Sequence, residues 1–184
     1  SVSGQPRPLQ RPRPVTLNAG FSPAGRDFAA RVADFLFTTF IDIDAGQAHI
    51  ADMRQCAAAV GREVGVCATC HVVCRPSQAE AEDYYDHYAV WMEDSDAVDF
   101  HMGSKAKHSS SHDPAAYRLH RKRFAGGAGT YPLVGTPRHV ADEMIRISAA
   151  GFSGTTVSFV NFGDELPFFI QAVLPLLRQA GLRG

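Results

Sequence analysis

The sequence has few of the features that mark secreted, membrane or nucleic-acid-binding proteins. Its 184 residues include only four cysteines, too few to indicate a disulfide scaffold. Its 18 lysines and arginines are balanced by 19 acidic residues, so the composition lacks the excess of positive charge that is typical of nucleic-acid-binding proteins. No apolar run approaches the length of a membrane span, and no signal peptide opens the chain. We therefore expect a reduced, cytoplasmic setting, with no nucleic-acid or membrane partner.

The chain does contain enough apolar material for one folded domain. Hydrophobic residues make up 45% of it, which a chain of this length can bury in a real core. Residues 1–14 are rich in proline and arginine and are predicted to be an extended lead-in. Residues 1–184 are treated as a single domain.

Residues 15–40 set the pattern for the rest of the chain. An apolar run at 15–17 is followed by a turn at 20–25, a helical patch, and a second apolar run at 35–40. The patch consists of Phe28, Ala29, Val32 and Ala33. This order is that of two parallel strands joined by a crossover helix.

The turn at residues 20–25 has two main interpretations. In an ordinary strand-to-helix turn, Ser22 is the helix N-cap and Pro23 the first helical residue. In the alternative, the free N–H groups of the helix amino end and the Ser22 hydroxyl bind a phosphate. Spacing alone favours the ordinary turn. A nucleophile elbow is disfavoured because Ala24 stands where the motif G-x-S-x-G requires glycine.

Further strand–helix units follow this one. Strands are predicted at 64–74 and 155–159, and helices at 45–60 and from about residues 77, 136 and 164. The helix at 45–60 has Ile50, Met53, Ala57 and Val60 on one face. The next helix starts with a Ser77–Glu80 capping box, and the third starts with Thr136 before Pro137 and ends at Gly151. The last helix has an Asp164 cap and a bend at Pro175. Repeated βα units predict an α/β fold with a mostly parallel sheet. Periodicity does not decide between half of an eight-stranded barrel and a small open sheet.

The segment Cys67-Ala68-Thr69-Cys70-His71 matches the haem attachment motif C-x-x-C-H. In a strand, however, Cys67 and Cys70 point to opposite faces and cannot hold one haem or one zinc ion together. We therefore predict buried thiols and no metal site. The same alternation places Thr69 and His71 on one face with Cys67. If that face lines a pocket, His71 is its most reactive side chain.

Residues 95–130 show weaker patterning and are predicted to form an inserted or lid region. Two short helices, near 97–102 and 114–124, are joined by a polar tract in which His108 and His112 flank three serines. Such a tract suits a loop that contacts substrate, and a plain surface loop fits it equally well. A flexible loop is predicted at 126–130.

Taken together, the segments resemble the bacterial luciferase-like, FMN-dependent monooxygenases of the alkanesulfonate and dimethylsulfone type. No single motif decides this, but four occur in the family's order over nearly the whole chain. The matching pieces are NAGFSPAGRDFAARVADFLFT, HVVCRPSQAEAEDYY, GGAGTYPLVGTPRHVADEM and GFSGTTVSFVNFGDELPFFIQAVLPLL.

The resemblance implies the fold, the cofactor and two site residues. The expected fold is the C-terminal half of a (β/α)8 TIM barrel with a helical insertion before the last strand, the active site lying at the carboxyl end of the barrel. The expected reaction uses reduced FMN and O2. The family serine that contacts the FMN phosphate falls on Ser22, with Gly20, Ala24 and Gly25 completing the cofactor turn. The family's pocket histidine falls on His71.

Two departures from the sulfonate-cleaving relatives concern the substrate. Those relatives carry an arginine where this chain has Thr69, and another where it has Ala125, with Arg123 nearby. Paired guanidinium groups suit a sulfonate. Their absence favours a small neutral or sulfone-like molecule, with Thr69, Arg123, His108 and His112 as candidate substrate or lid residues.

The resemblance begins at the family's fifth strand. We expect a half barrel with exposed strand edges to pair with a second copy or with a complementary chain. The leading hypothesis is a monooxygenase half that works with a separate flavin reductase. The alternative is a non-catalytic remnant that binds flavin or a partner, and a third, weaker alternative is an open α/β domain with an unrelated ligand.

Overall fold

A computed structural model of the protein describes residues 9–20, 22–106 and 114–183. Helices and strands alternate along the chain, apart from a cluster of helices in the second half. The strands are β1 (Leu17–Asn18), β2 (Phe35–Thr38), β3 (Gly65–Cys74), β4 (Tyr131–Gly135) and β5 (Gly154–Ser158). The helices are α1 (Pro23–Val32), α2 (Ile43–Ala58), α3 (Gln78–Asp86), a π-helical turn (His87–Trp91), α4 (Ser95–Ala106), α5 (Pro114–Gly127), α6 (Pro137–Ala149), α7 (Phe162–Ala172) and α8 (Leu174–Gln179).

All strand pairs are parallel, and the long strand β3 is the centre of the sheet. Strand β2 pairs with residues 65–68 of β3, β4 with residues 70–74, and β5 with residues 67–71. Strand β5 pairs with some of the same β3 residues as β2 and with some of the same β3 residues as β4. A strand residue has one neighbouring strand on each side, so β5 lies along one edge of β3, and β2 and β4 share the other edge. The lateral order is therefore β1-β2-β3-β5, and β4 continues the β2 edge toward the carboxyl end.

Strand β4 was not predicted from the sequence, which indicated only a loop before the helix at Thr136. It is short and contains Pro132, which cannot donate a backbone hydrogen bond. Its outer edge has no strand partner in the described part of the chain, a position where proline is tolerated. The parallel α/β sheet and the insertion helices were predicted correctly.

The two faces of β3 have different environments. Its even-numbered residues, from Val66 to Cys74, belong to a buried apolar cluster that includes Val64, just before the strand, and side chains of α1, α2 and α6. Leu133 of β4 is in register with Val72 and lies in the same cluster. The odd-numbered residues therefore face away from these helices. This second face corresponds to the interior of a barrel and carries the candidate site.

Several predicted helix signals are confirmed in the structure. The Ser22 side chain accepts a hydrogen bond from the Gly25 amide at 3.1 Å, and Ser77 and Glu80 form a capping box. Thr136 caps α6, which begins at Pro137. Gly151, with a φ of +103°, follows the end of that helix in the left-handed conformation that glycine tolerates.

The helical patch predicted in α1 is only partly buried. Phe28 and Val32 of α1 are exposed, because the helix packs through the small residues Ala29, Ala30 and Ala33 instead. Small side chains let the helix approach the sheet closely, and the larger ones are left on its outer side.

The expected ends of two other helices also need correction. Val60 was expected on the buried face of the second helix, but it lies beyond the end of α2 and is exposed. The last helical segment begins earlier than predicted, because Asn161 rather than Asp164 is the N-cap of α7. The predicted bend at Pro175 is a break between two helices, with Pro175 in the first turn of α8.

Within the described residues, no helix is both long and apolar enough to cross a membrane.

The burial of β4 gives a prediction about stability. Leu133 is fully buried, so Leu133→Ala should lower the free energy of unfolding by about 2–5 kcal/mol through lost apolar contact and a residual cavity. Leu119→Ala is the matched control, because Leu119 is 40% exposed and its loss should cost no more than about 0.5 kcal/mol. Urea unfolding measures both. Equal, small effects would mean that residues 131–135 form a surface loop.

Candidate active site

The inner face of β3 brings together the residues that strand alternation predicted. Cys67, Thr69 and His71 lie on this face, and their partners in β5 are Gly154, Thr156 and Ser158 respectively. In a parallel sheet, paired residues of neighbouring strands project to the same side. His71 lies near the carboxyl end of β3 and is 3% exposed.

The cysteines behave as buried structural thiols in the structure. Cys70 belongs to the helix-facing apolar cluster, whereas Cys67 lies on the inner face, so the two do not converge. Burial raises the pKa of Cys70 to about 12 and that of Cys74 to about 11. Among the described residues, no group of three or more His, Cys, Asp and Glu side chains is arranged to bind a metal ion.

The imidazole of His71 lies between α3 and the end of α5. Its ring centroid is 5.5 Å from that of Tyr85, and the backbone of Gly127 packs directly against the ring. A Cβ atom on Gly127 would lie 2.3 Å from Nδ1 of His71, so a larger residue at position 127 would displace the imidazole. Helix α5 can cover His71 only because this residue is glycine.

The hydrogen bonds around Thr130 determine which nitrogen of His71 carries the proton. The Thr130 hydroxyl donates to the Gly127 carbonyl oxygen at 2.7 Å, and Oγ1 of Thr130 itself lies 3.0 Å from Nδ1 of His71. With its own proton engaged, Thr130 Oγ1 accepts a hydrogen bond from Nδ1–H. Nε2 then keeps a free lone pair. It is buried and has no partner among the described residues.

The electrostatic environment keeps His71 neutral. Burial lowers the pKa of His71 to about 4, and the positive charge of Arg123 acts in the same direction. A hydrogen bond with Thr130 opposes the shift but does not cancel it. At neutral pH the side chain is therefore an uncharged hydrogen-bond acceptor at Nε2.

Arg123, predicted as a substrate or lid residue, lies one turn before Gly127 on α5. Its guanidinium donates to the Phe40 carbonyl oxygen at 3.1 Å and stands 5.3 Å from the centroid of the Tyr131 ring. Its Nε atom is buried without a partner among the described residues. The structure thus brings Arg123 and His71 together. Ala125, the position of the second missing arginine, lies on the same helix.

The remaining candidate substrate residues have different outcomes. The Thr69 hydroxyl donates to the Thr38 carbonyl oxygen at 3.0 Å, so it links two strands. His108 and His112 lie outside the described residues. Residues 126 and 127, expected in a flexible loop, are the last residues of α5, and Gly129 donates back to the Arg123 carbonyl oxygen at 3.0 Å.

A cavity of about 280 Å³ opens beside His71 on the inner face. It has apolar walls and a few polar groups, as small-molecule sites commonly do. Its lining consists of His71, Val72, Tyr88, Ala125, Gly126, Gly127, Ala128, Ser158, Phe159 and Val160. The Tyr88 hydroxyl, like Nε2 of His71, is buried and without a partner in the described part of the chain. The two residues that carry these unpartnered polar atoms therefore both line the cavity.

A larger cavity of about 390 Å³ between α3 and α6 is a weaker candidate. Its main polar groups already have partners: Gln78 donates to Glu82 at 2.7 Å, and Arg146 donates to Glu143 at 2.5 Å. The smaller cavity is therefore the better candidate site.

Sequence reasoning missed Tyr85 and Tyr88. Tyr88 was predicted only as a residue of the helix that Ser77 caps, and the π-helical turn that contains it leaves no periodic signature in the sequence. The motif HVVCRPSQAEAEDYY included Tyr85 but gave it no role. The one available signal was the density of tyrosines, three of them at positions 84, 85 and 88.

The predicted cofactor turn has the geometry of a close backbone approach. A Cβ atom on Gly20 would lie 2.7 Å from Cα of Gly25, so the two glycines allow the strand end and the helix start to touch. Ser22 and Ala24 are exposed at this turn. Ser22 is the N-cap, as the ordinary interpretation predicts, and its hydroxyl proton is still free to donate to a ligand.

The charge around the amino end of α1 is compatible with an anion. No acidic residue lies in its first turn. The nearest cation, Arg26, forms an ion pair with Asp52 and also contacts Nδ1 of His49 at 2.9 Å. The helix dipole and the free N–H groups therefore face solvent without a competing carboxylate in that turn.

Comparison with known sequences shows the family to which this chain belongs. The sequence profile of the family described as luciferase-like monooxygenase matches residues 1–154. The chain belongs to the luciferase-like monooxygenases. It is 31% identical over 182 residues to the FMNH2-dependent dimethylsulfone monooxygenase of Pseudomonas putida, a match that covers 95% of this chain and 49% of that protein.

Solved structures of luciferase-like monooxygenases agree with this assignment. The long-chain alkane monooxygenase LadA has a TM-score of 0.75 and 25% identity, covering 94% of this chain and 42% of LadA. DmoA from Hyphomicrobium sulfonivorans has a TM-score of 0.76 and 24% identity, covering 93% of this chain and 42% of DmoA. The chain spans about half the length of the curated relatives it matches. The predicted half of a TIM barrel is confirmed, and the open-sheet alternative is set aside.

The lowered pKa of His71 gives a prediction about stability at acid pH. The ordinary pKa is 6.5 and the folded value is about 4, so between these pH values the unfolded chain binds more protons at this residue. The free energy of unfolding should therefore fall as pH falls through this window, by roughly 3 kcal/mol from His71. Urea unfolding at several pH values measures the dependence.

The variant His71→Asn cannot titrate and should lose this part of the pH dependence. The variant His87→Asn changes an exposed histidine in the same way and is the matched control. Identical slopes for all three proteins would show that His71 is not held neutral by the fold.

Proposed function

We propose that this chain carries the flavin-phosphate turn and the substrate pocket of an FMN-dependent monooxygenase. The reaction would use reduced FMN and O2 to oxidise a small organic molecule. One observation supports this most strongly: a buried, neutral histidine with a free acceptor nitrogen lines a small cavity at the carboxyl ends of the strands. This is the end of a barrel at which active sites occur.

The turn at residues 20–25 suits the phosphate of FMN. Gly20 and Gly25 allow close backbone approach, Ser22 supplies a hydroxyl donor, and the amide of Ala24 lies in the first turn of α1. Bound reduced FMN would supply the electrons that activate O2, and the protein would supply position and shielding from water. We infer that Gly20, Ser22, Ala24 and Gly25 hold the phosphate end of the cofactor.

His71 would act as a pocket residue that accepts a hydrogen bond at Nε2 from the reacting molecules. Its Nδ1–H is held by Thr130, so the ring is fixed in one orientation and one tautomer. A histidine with a pKa of about 4 is a poor proton donor at neutral pH but a suitable acceptor. Arg123 reinforces this state by its charge, and we propose that it contacts the substrate or the lid.

The substrate that fits best is small and uncharged. No charged side chain lines the cavity beside His71 among the described residues. Thr69 and Ala125 occupy the positions at which sulfonate-cleaving relatives have arginine, and the Arg123 guanidinium already binds the Phe40 carbonyl oxygen. Relatives of this chain are named for dimethylsulfone and long-chain alkanes. We infer a neutral substrate such as a sulfone.

The proposed reaction needs further partners. Reduced FMN would come from a separate flavin reductase, and a cytoplasmic location would match the buried free thiols. The outer edges of β1 and β5 have no strand partner among the described residues, and Val15, Leu17 and Phe162 near them are exposed. A second copy or a complementary half-barrel chain would cover these edges.

The phosphate assignment predicts a selective loss of affinity. In the native assembly, Ser22→Ala should weaken FMN binding by about 10- to 100-fold, because one charge-assisted hydrogen bond worth roughly 1.5–3 kcal/mol is lost. Riboflavin lacks the phosphate and should bind equally well to both proteins. Ser77→Ala removes the same type of cap from α3 and is the matched control. Flavin fluorescence titration measures both ligands, and equal losses for FMN and riboflavin would refute the assignment.

The role of His71 predicts a loss of turnover without loss of flavin. His71→Asn should lower kcat for sulfone oxidation by about 10²- to 10³-fold, the usual cost of removing one positioned hydrogen-bonding group. The acid limb of the pH–rate profile, expected near the folded pKa of about 4, should disappear. Steady-state kinetics with a supplied flavin reductase measures this. An unchanged kcat would reduce His71 to a core residue.

The exposed edges predict association of the 184-residue chain. The purified chain should form a dimer or larger species, and alone it should neither bind FMN tightly nor oxidise substrate, because it covers about half of its relatives' length. Light scattering with flavin titration checks both points. A well-behaved monomer that binds FMN at micromolar affinity or better would contradict the prediction. Oxidation recovered on adding a complementary half would separate an enzyme from a non-catalytic remnant.

A further inference from the structure

The π-helical turn at residues 87–91 is the least regular part of the helical cover over the site. The Met92 amide donates to the His87 carbonyl oxygen at 2.9 Å, an i to i+5 bond that adds one residue to the helical turn. Such turns are rare and occur frequently at functional sites. Here the turn contains Tyr88, whose side chain lines the cavity beside His71.

Neighbouring side chains fix the position of the Tyr88 ring. It lies edge-on to Tyr85, with ring centroids 5.6 Å apart, and 5.3 Å from the ring of Tyr84. The nearby ion pair of Arg75 and Glu165, 2.6 Å long, connects the end of β3 to the first turn of α7. The phenol is therefore held among packed rings and a half-buried ion pair.

The hydroxyl of Tyr88 is buried and makes no hydrogen bond to any described residue. Buried polar groups in folded proteins almost always have a partner, in the protein, in ordered water or in a ligand. Phe159, Val160 and Ala128 line the same cavity and have no polar side chain. Ser158 is the other hydroxyl there, and it is directed at the Cys70 carbonyl oxygen at 3.4 Å.

The phenol remains protonated under all ordinary conditions. Burial raises the pKa of Tyr88, and the nearby Tyr85 and Glu165 act in the same direction. Two residues that line the cavity thus carry one unpartnered donor, the Tyr88 hydroxyl, and one unpartnered acceptor, Nε2 of His71. No charged side chain lines the cavity within the described residues. A complementary ligand is uncharged and presents an oxygen acceptor to Tyr88.

We propose that Tyr88 is a specificity-determining residue whose hydroxyl donates a hydrogen bond to a sulfonyl or carbonyl oxygen of a small neutral molecule bound in this cavity. The identification of that molecule as the substrate rests on the proposed monooxygenase function. The binding preference itself depends only on the cavity and on Tyr88.

Two probes of similar size separate the hydrogen bond from simple filling of space. Dimethyl sulfone has two oxygen acceptors, whereas dimethyl sulfide has the same methyl groups and no oxygen. Tyr88→Phe should weaken binding of the sulfone by about tenfold, the effect of one hydrogen bond, and leave the sulfide unchanged. Tyr84→Phe is the matched control, because the Tyr84 ring packs beneath the Arg75 guanidinium at 4.1 Å and does not line the cavity.

Tyrosine labelled with ¹³C at Cζ provides a direct readout in the full chain. The five tyrosines give five signals, which single Tyr→Phe variants assign. Sulfone should shift the Tyr88 signal, and sulfide should not. Any one of three results would overturn the proposal. Tyr88→Phe could weaken the binding of sulfone and sulfide equally, or the Tyr88 signal could stay in place when sulfone is added. The third is that neither probe binds at about 10 mM.

A turnover assay keeps this proposal distinct from the monooxygenase assignment. If the native assembly supplied with reduced FMN and O2 does not oxidise the sulfone, while Tyr88→Phe still loses sulfone binding selectively, the proposed function fails and the ligand site stands. If oxidation proceeds but Tyr88→Phe leaves sulfone binding unchanged, the monooxygenase assignment stands and the role of Tyr88 is refuted.

Discussion

The close approach of the end of α5 to the inner face of β3 is the contact on which the candidate site depends. Cβ atoms on Gly126 and Gly127 would lie 2.4 Å from the Tyr85 ring and 2.3 Å from the His71 imidazole. Because both residues are glycine, the backbone can rest on these rings. The same turn brings Thr130 to Nδ1 of His71 and sets one wall of the cavity. A bulkier residue at position 127 would move the imidazole, the hydrogen bond and the wall together.

This packing also gives the site its chemistry. Burial under α5, together with the charge of Arg123, keeps His71 neutral, and Thr130 directs the free lone pair to Nε2. The result is a small cavity with one acceptor, one phenolic donor and no lining charge. Such a site suits an uncharged molecule that must be oriented and shielded from water. The glycine-rich turn at the start of α1 lies at the same end of the parallel sheet, since strands in a parallel sheet share one carboxyl edge.

Local patterns were enough to predict part of this architecture. Alternation along β3 placed Thr69 and His71 on one face, and side-chain spacing identified the caps at Ser22, Ser77 and Thr136, because each of these features depends on neighbours in sequence. Strand β4 was missed because its pairing depends on contacts with a strand about sixty residues earlier. The π-helical turn has no periodic signature, so nothing in the sequence singled out Tyr88. Arg123 and His71 were named as separate site residues from family resemblance rather than from spacing, and their proximity was not predicted.

The most direct test of the account locates the flavin phosphate on the chain. Backbone amide chemical shifts can be compared after adding FMN and after adding riboflavin, each at millimolar concentration so that weak binding is visible. The account predicts that the difference between the two ligands is confined to the amides of residues 20–25. The start of α6 at Thr136 is the internal reference, because it too has a capping hydroxyl, a first-turn proline and no acidic residue in its first turn. A phosphate-dependent shift near Thr136, or none at residues 20–25, would contradict the account.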